Sequence, residues 1–212
     1  MKPRKYEQKR RAEQQAETRR AIVEAMVALH REVGPARTTI SAIAERAGVE
    51  RLTVYRHFAD ETAMFEACSA HFAAEVGPPD PAMWADVAEP APRLRAALLA
   101  FYGYYRRGEE MLVQVERDVP RLPALAAVVA PWGEFLGEAR DGLARAWAAP
   151  ESARARLAAA IGHALRFETW RSLARAEHLA DADAADLMVA LAEAALARPG
   201  SGHNGRRRLR ER

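Results

Sequence analysis

Residues 38–58 read TTISAIAERAGVERLTVYRHF. Ile40, Ile43, Ala44 and Ala47 recur at helical spacing and make one apolar face of a short helix. Thr39, just before that face, is a suitable N-cap, its hydroxyl accepting from a backbone N–H that the helix leaves without a partner. Gly48 ends the helix, because glycine takes the left-handed conformation without a Cβ clash. Beyond the turn Val49–Glu50 a second apolar set follows: Val49, Leu52, Val54, Tyr55 and Phe58. Two short helices joined by a tight glycine-containing turn form a helix-turn-helix unit. Ala44 and Ala47 are small where the helices cross, and the second helix presents Arg51, Leu52, Thr53, Tyr55, Arg56 and His57 outward.

That outward set suits DNA. Arg51 and Arg56 carry fork donors for guanine O6 and N7 or for phosphate, Thr53 fits a phosphate or a thymine methyl, and Tyr55 and His57 can donate to phosphate oxygens. With Thr39 and Ser41 at the start of the first helix, these residues and Leu52 are the candidate DNA contacts. The longer stretch TTISAIAERAGVERLTVYRHFADETAMF, residues 38–65, resembles the DNA-binding domain of the tetracycline-repressor (TetR) family. The features that carry the likeness are Thr39, Ile43–Ala44, Ala47–Gly48–Val49 and the ending Tyr55 to Phe58, and it extends over residues 22–72. The resemblance implies a DNA-binding regulator with a small-molecule pocket in its second half and a dimer closed by its last helices. Two residues depart from the family pattern: Glu61 where relatives usually have a lysine, and Leu52 in place of a small residue before Thr53.

Composition narrows the class. Helix formers dominate the 212 residues and no stretch alternates with period two, so the chain is expected to be all-α, with about nine helices. Cys68 is the only cysteine, which excludes a disulfide framework within one chain and suits a reducing compartment. No apolar run has the length of a membrane span and no signal peptide is evident, so a cytoplasmic protein without a membrane partner is expected. No catalytic motif or metal-ligand spacing appears, and neither enzyme activity nor a cofactor or metal is expected. The net charge of +3 is unevenly spread: residues 1–20 hold eight basic and three acidic side chains, residues 201–212 five and one, and residues 21–76 five arginines against eight acids.

Four segments follow from this distribution. Residues 1–20 form a basic arm, expected to be disordered at its start and to extend the first helix in its later half. The arm either follows the DNA backbone or minor groove, or is a solvated tail. Residues 21–76 are the DNA-binding domain, whose first helix turns Ile22, Val23, Met26, Val27, Leu29 and His30 inward and whose last, capped by Asp60, carries Met64, Phe65, Cys68, Phe72 and Val76. Residues 77–199, after a proline-rich break, form a helical effector-binding and dimerisation domain, with helices predicted at 93–107, 109–119, 123–147, 151–178 and 181–197 and a kink or break at Pro131. Residues 200–212 are an arginine-rich tail expected to be disordered.

The second half holds most of the aromatic residues. They either fill its core or line an apolar cavity, and the candidate effector set is Phe101, Tyr105, Glu116, Trp132, Phe135, His163 and Phe167. The helix at 151–178 is apolar on more than one side, and the final helix has a small-residue face. A second copy of the chain would cover what the first leaves open, through Leu157, Ile161, Leu165, Trp170, Leu187, Leu191, Ala194 and Ala195. The expected protein is a homodimeric repressor released from a palindromic DNA operator by a small apolar or amphipathic effector. The alternatives are an orphan DNA-binding regulator without effector and a helical protein-interaction module. Glu61 opens the fourth helix, where a carboxylate suits the helix dipole and repels phosphate. Glu61→Lys is therefore expected to bind operator more tightly in a gel-shift titration, and weaker binding would place this side chain away from the DNA.

Overall fold

The computed structural model describes residues 3–197, and every regular element among them is helical. The helices are α1 (Pro3–Glu32), α2 (Ile40–Ala47), α3 (Arg51–His57), α4 (Glu61–Val76), α5 (Ala82–Ala85), α6 (Pro90–Asp118), α7 (Pro123–Arg145), α8 (Glu151–Ala164), α9 (Phe167–Arg171) and α10 (Asp181–Leu196). α9 continues as a π-helical turn, Ser172–Ala176. The basic tail expected at 200–212 lies outside the described residues, as do Met1 and Lys2. None of the described helices is long and apolar enough to cross a membrane.

The arm is helical from Pro3, where disorder was expected at its start. Between Pro3 and Gly34 there is no glycine or proline, and Lys, Arg, Glu, Gln and Ala are strong helix formers. Pairs one turn apart, Lys9 with Glu13 at 3.7 Å and Arg20 with Glu24 at 3.8 Å, add modest support. Burial starts only at Ile22, and from there Ile22, Val23, Met26, Val27, Leu29 and His30 all face inward as their spacing predicts.

Compactness divides the chain into two interleaved units. One joins the residues up to Asp80 with Phe101–Phe135, the other joins Pro81–Ala100 with the described residues from Leu136 onward. α6 and α7 each run from one unit into the other. In the first unit α1 packs on α2 and α4, around Ile22, Met26, Ile43, Val54, Phe58 and Phe65. In the second, α8 packs along α10, and Trp170 Nε1 donates to Asp181 at the start of α10 over 2.8 Å.

Several predicted boundaries move. α6 passes through Gly108 without a break, because a Cβ there would stand 2.7 Å from the Phe72 ring: this glycine serves close packing. α7 likewise continues through Pro131, which is exposed. The helix predicted at 151–178 is interrupted at Leu165–Arg166, where the buried Thr169 hydroxyl donates to the His163 carbonyl at 2.7 Å. A side-chain bond of this kind competes with the helical ladder. α5 forms within the proline-rich break and buries Trp84.

The dimer set is corrected in part. Leu157, Ile161, Leu165 and Trp170 are at most 1% exposed, covered by the chain's own helices, so no partner can reach them. Leu187 and Leu191, at 48% and 42%, and Ala194 remain open, while Ala195 is half-buried.

His30 is buried against Cys68, its Nδ1 3.2 Å from the sulfur. Burial lowers the imidazole from its ordinary 6.5 to about 4, with nearby Asp118 acting in the opposite direction. It also pushes the Cys68 thiol up to about 12, so both groups are neutral at pH 7 and the thiol can donate to the ring. The unfolded chain protonates this histidine near pH 6.5 and the folded chain near pH 4, so the stabilisation is complete above 6.5 and is lost as pH falls toward 4. The loss is on the order of 3 kcal/mol. Urea melts of the wild type should weaken over this window, and those of His30→Gln should be nearly flat across it; parallel curves would assign the dependence to other groups.

Candidate nucleic-acid interface

The helix-turn-helix is built by local chemistry. Thr39 Oγ1 accepts from the Ala42 N–H at 3.2 Å, a cap of about 1 kcal/mol. At the other end of α2, Gly48 is left-handed (φ 66°, ψ 33°) and the Val49 N–H reaches back to the Ala44 carbonyl at 2.9 Å. Val49 and Glu50 then turn the chain, and α3 starts at Arg51. Asp60 accepts from the Ala63 N–H at 2.8 Å and caps α4, at whose exposed first turn Glu61 sits.

α3 anchors itself through Val54, fully buried, and through Phe58 just beyond its end. Leu52 and Tyr55 do not belong to the buried set in which their spacing also placed them: each is 55% exposed. A seven-residue helix can turn only a narrow stripe inward, and Val54 occupies it. The structure therefore brings Arg51, Leu52, Tyr55 and Arg56 together on one open surface, with Thr53 and His57 half-buried at its margins. Ser41 is exposed on the first turn of α2, and the exposed Thr39 hydroxyl serves the cap. Tyr55 also borders a cavity of about 270 Å³, among whose walls are Met26, Ile43, Phe58 and Met64.

Two positioning contacts are absent from the sequence reading. Arg19 donates to the His57 carbonyl at 2.7 Å, satisfying the C-terminal end of α3, and its guanidinium lies 4.3 Å from the centre of the Phe58 ring. The second contact is made by α6. Asp118, 1% exposed, accepts from the Ala36 N–H at 2.9 Å, while Arg117 donates to the Val33 carbonyl at 3.0 Å and Gln114 to that of Arg31 at 3.3 Å. These bonds hold the turn from α1 into α2 at Gly34, whose φ of 91° favours glycine and where a Cβ would meet Arg117 and Asp118. Arg107, further back on α6, donates to the carbonyls of Val76 and Gly77 at the end of α4. α6 thus fastens both ends of the helix-turn-helix domain. The signal for Asp118 was a carboxylate on the helical face that also carries Gly108 and Met111, both buried.

Of the candidate effector residues, Phe101, Tyr105, Trp132 and Phe135 form one cluster, with ring centres 5.4 to 6.5 Å apart. Tyr104 joins it, 5.1 Å from Trp132, and burial raises its hydroxyl to about 12. Glu116 is exposed, about three turns beyond Tyr105 on α6. His163 and Phe167 belong to the second unit, where Phe167 is buried against Trp170 at 5.6 Å and His163 is exposed beside Thr169. Among the described residues no group of three or more His, Cys, Asp or Glu is placed to hold a metal ion.

Residues 22–68 match the family of bacterial regulatory proteins described as the tetR family. The fold is similar to that of a TetR-like transcriptional regulator from Rhodococcus sp. RHA1, 21% identical over 83% of this chain and 93% of that one, with a TM-score of 0.63. A structure from Mesorhizobium loti MAFF303099 assigned to TetR-family regulators is 18% identical over 86% and 96%, TM-score 0.58. The multidrug binding protein EbrR, solved with imidazole, is 20% identical over 86% and 97%, TM-score 0.54. At these identities the likeness shows the fold. The sequence matches none of the curated proteins.

The Asp118 bond is expected to matter for stability. Asp118→Ala removes the buried acceptor of the part-buried Ala36 N–H bond, a loss of about 1–2 kcal/mol. The midpoint of a thermal melt followed by circular dichroism should fall by roughly 2–4 °C for each kcal/mol. Asp118→Asn, which keeps an acceptor, should recover part of the fall; no loss in either variant would mean that the turn holds without α6.

Proposed function

We propose that this DNA-binding transcriptional regulator, whose residues 22–68 belong to the tetR family of bacterial regulatory proteins, is a homodimeric repressor released from a palindromic operator by a small apolar or amphipathic effector. The observation that carries the reading is the open surface of Arg51, Leu52, Tyr55 and Arg56 on α3, directly after a glycine-ended α2 and inside the matched segment. Arg51 and Arg56 supply bidentate donors for guanine edges or phosphate, Leu52 an apolar contact for thymine methyls, and Tyr55 a phosphate donor. Thr53, His57, Ser41 and Thr39 border this surface and take backbone contacts.

A second copy is supported by α8 and α10. They pack on each other, and each leaves apolar residues uncovered: Ala155 and Ala159 on α8, Leu187, Leu191 and Ala194 on α10. Pairing two such faces gives a four-helix interface and a two-fold axis, which sets the two half-sites about 10 bp apart. Effector binding is supported by the aromatic cluster of Phe101, Tyr105, Trp132 and Phe135 on α6 and α7, and by the structural likeness to a multidrug binding protein. The effector must favour the arrangement that DNA disfavours, with a coupling of about 1–3 kcal/mol as the usual size.

Selection of bound duplexes from a random library tests this reading. The wild type should enrich a palindrome, Arg51→Ala and Tyr55→Ala should lose it, and Leu187→Glu with Leu191→Glu should weaken it toward a single half-site. Absence of any enriched sequence with the wild type would overturn the proposal.

A further inference from the structure

The N-terminal half of α1, for which the sequence leaves a DNA-following arm and a solvated tail open, packs on nothing in the fold. Its side chains are exposed from Tyr6 to Glu17, it buries nothing, and it continues the helix for about five turns ahead of the core. Its charges are sorted. Gln8, Arg11, Gln15 and Arg19 follow one another at intervals of three, four and four residues and share a face. The acids Glu13 and Glu17 stand off that stripe, Glu7 sits at its outer edge one turn before Arg11, and the ion pairs Lys9–Glu13 and Arg20–Glu24 lie on the opposite side of the helix.

Arg19, the last member of the stripe, is the residue that donates to the His57 carbonyl at the end of α3. The stripe is therefore aligned with the end of α3 and runs outward from it, about 16 Å from Arg19 back to Gln8. Residues 21–76 carry five arginines against eight acids and attract no polyanion by their sum, whereas residues 1–20 hold eight basic against three acidic side chains.

We propose that the N-terminal half of α1 is a second DNA-contacting surface: a helical rod whose Gln8–Arg11–Gln15 stripe, registered by Arg19, lies on backbone phosphates flanking the half-site that α3 reads. The occupant is duplex DNA, by charge complementarity and by continuity with the α3 surface. Amide and guanidinium groups on this stripe bind phosphate oxygens and carry no base preference. The rod is anchored at its base, so its contacts add affinity and footprint without changing the bases selected. This inference rests on the proposed DNA-binding function, and the experiment separates the two.

Affinity for the selected operator is measured from 50 to 200 mM salt for the wild type, Arg11→Ala, Arg10→Ala and Arg51→Ala, on the full duplex and on one trimmed to the two half-sites. Arg10 lies off the stripe, so Arg10→Ala removes the same charge from the other side. Arg11→Ala should flatten the log–log salt slope by about 0.9 per protomer, so that its affinity falls about 3.5-fold less than that of the wild type over this range for each contact. Arg10→Ala should retain the wild-type slope, and trimming should abolish the difference between Arg11→Ala and wild type. Equal effects of Arg10→Ala and Arg11→Ala would overturn the stripe in favour of bulk charge. No effect of either, with binding still lost in Arg51→Ala, would leave α3 as the reader and the rod idle. A wild type that binds no sequence preferentially would remove the DNA-binding reading and the rod together.

Discussion

A single left-handed residue fixes how α3 leaves α2. At Gly48 the backbone turns back on the last carbonyls of α2, and Val49 completes the turn by bonding to Ala44. With that angle set, Val54 and Phe58 reach the core beside Ile43, and whatever else α3 carries must point away. The composition of the outer face is thus free of any packing demand, and it holds two arginines, a leucine and a tyrosine. The Arg19 bond to the other end of α3 completes the restraint: the helix is held at its start by the turn and at its finish by a guanidinium.

The restraint is extended by α6. Its buried carboxylate and neighbouring donors occupy the backbone groups that the turn at Gly34 exposes, and Arg107 does the same at the end of α4. These bonds are geometric rather than strongly electrostatic. The Arg117 guanidinium holds the Asp118 carboxyl below its ordinary value, and the buried carboxylate also takes the Ala36 amide of the turn as a partner. Any rotation of α6 about its own axis would have to break or carry along the turn that leads into α2.

Local features of the fold were legible in the sequence, and features made by distant contacts were not. Thr39, Gly48 and Asp60 act within four residues of themselves, so their types and positions suffice to place α2 and α4. The inward face of α1 followed from its spacing for the same reason. Gly108 looked like a helix end because its partner, Phe72, lies 36 residues earlier and leaves no trace in the neighbouring sequence. Leu157, Ile161 and Trp170 could be recognised as buried but not by what: periodicity marks an apolar face without saying whether the same chain or another covers it. At the candidate site, residue types on α3 were readable, whereas Arg19 and Asp118 act on carbonyls and amides 38 and 82 residues away.

The interleaving of the two units along the sequence bears on how the chain can be dismantled. Residues 101–135 complete the N-terminal unit, and with them come Arg107, Gln114, Arg117 and Asp118. A headpiece excised after α4 would therefore leave the Ala36 amide and the Val33 and Val76 carbonyls without their protein partners, and it would uncover the Phe72 ring where Gly108 now rests. Chimeras that graft this headpiece onto another body must transplant the second half of α6 with it, so the natural unit of exchange is discontinuous in the gene.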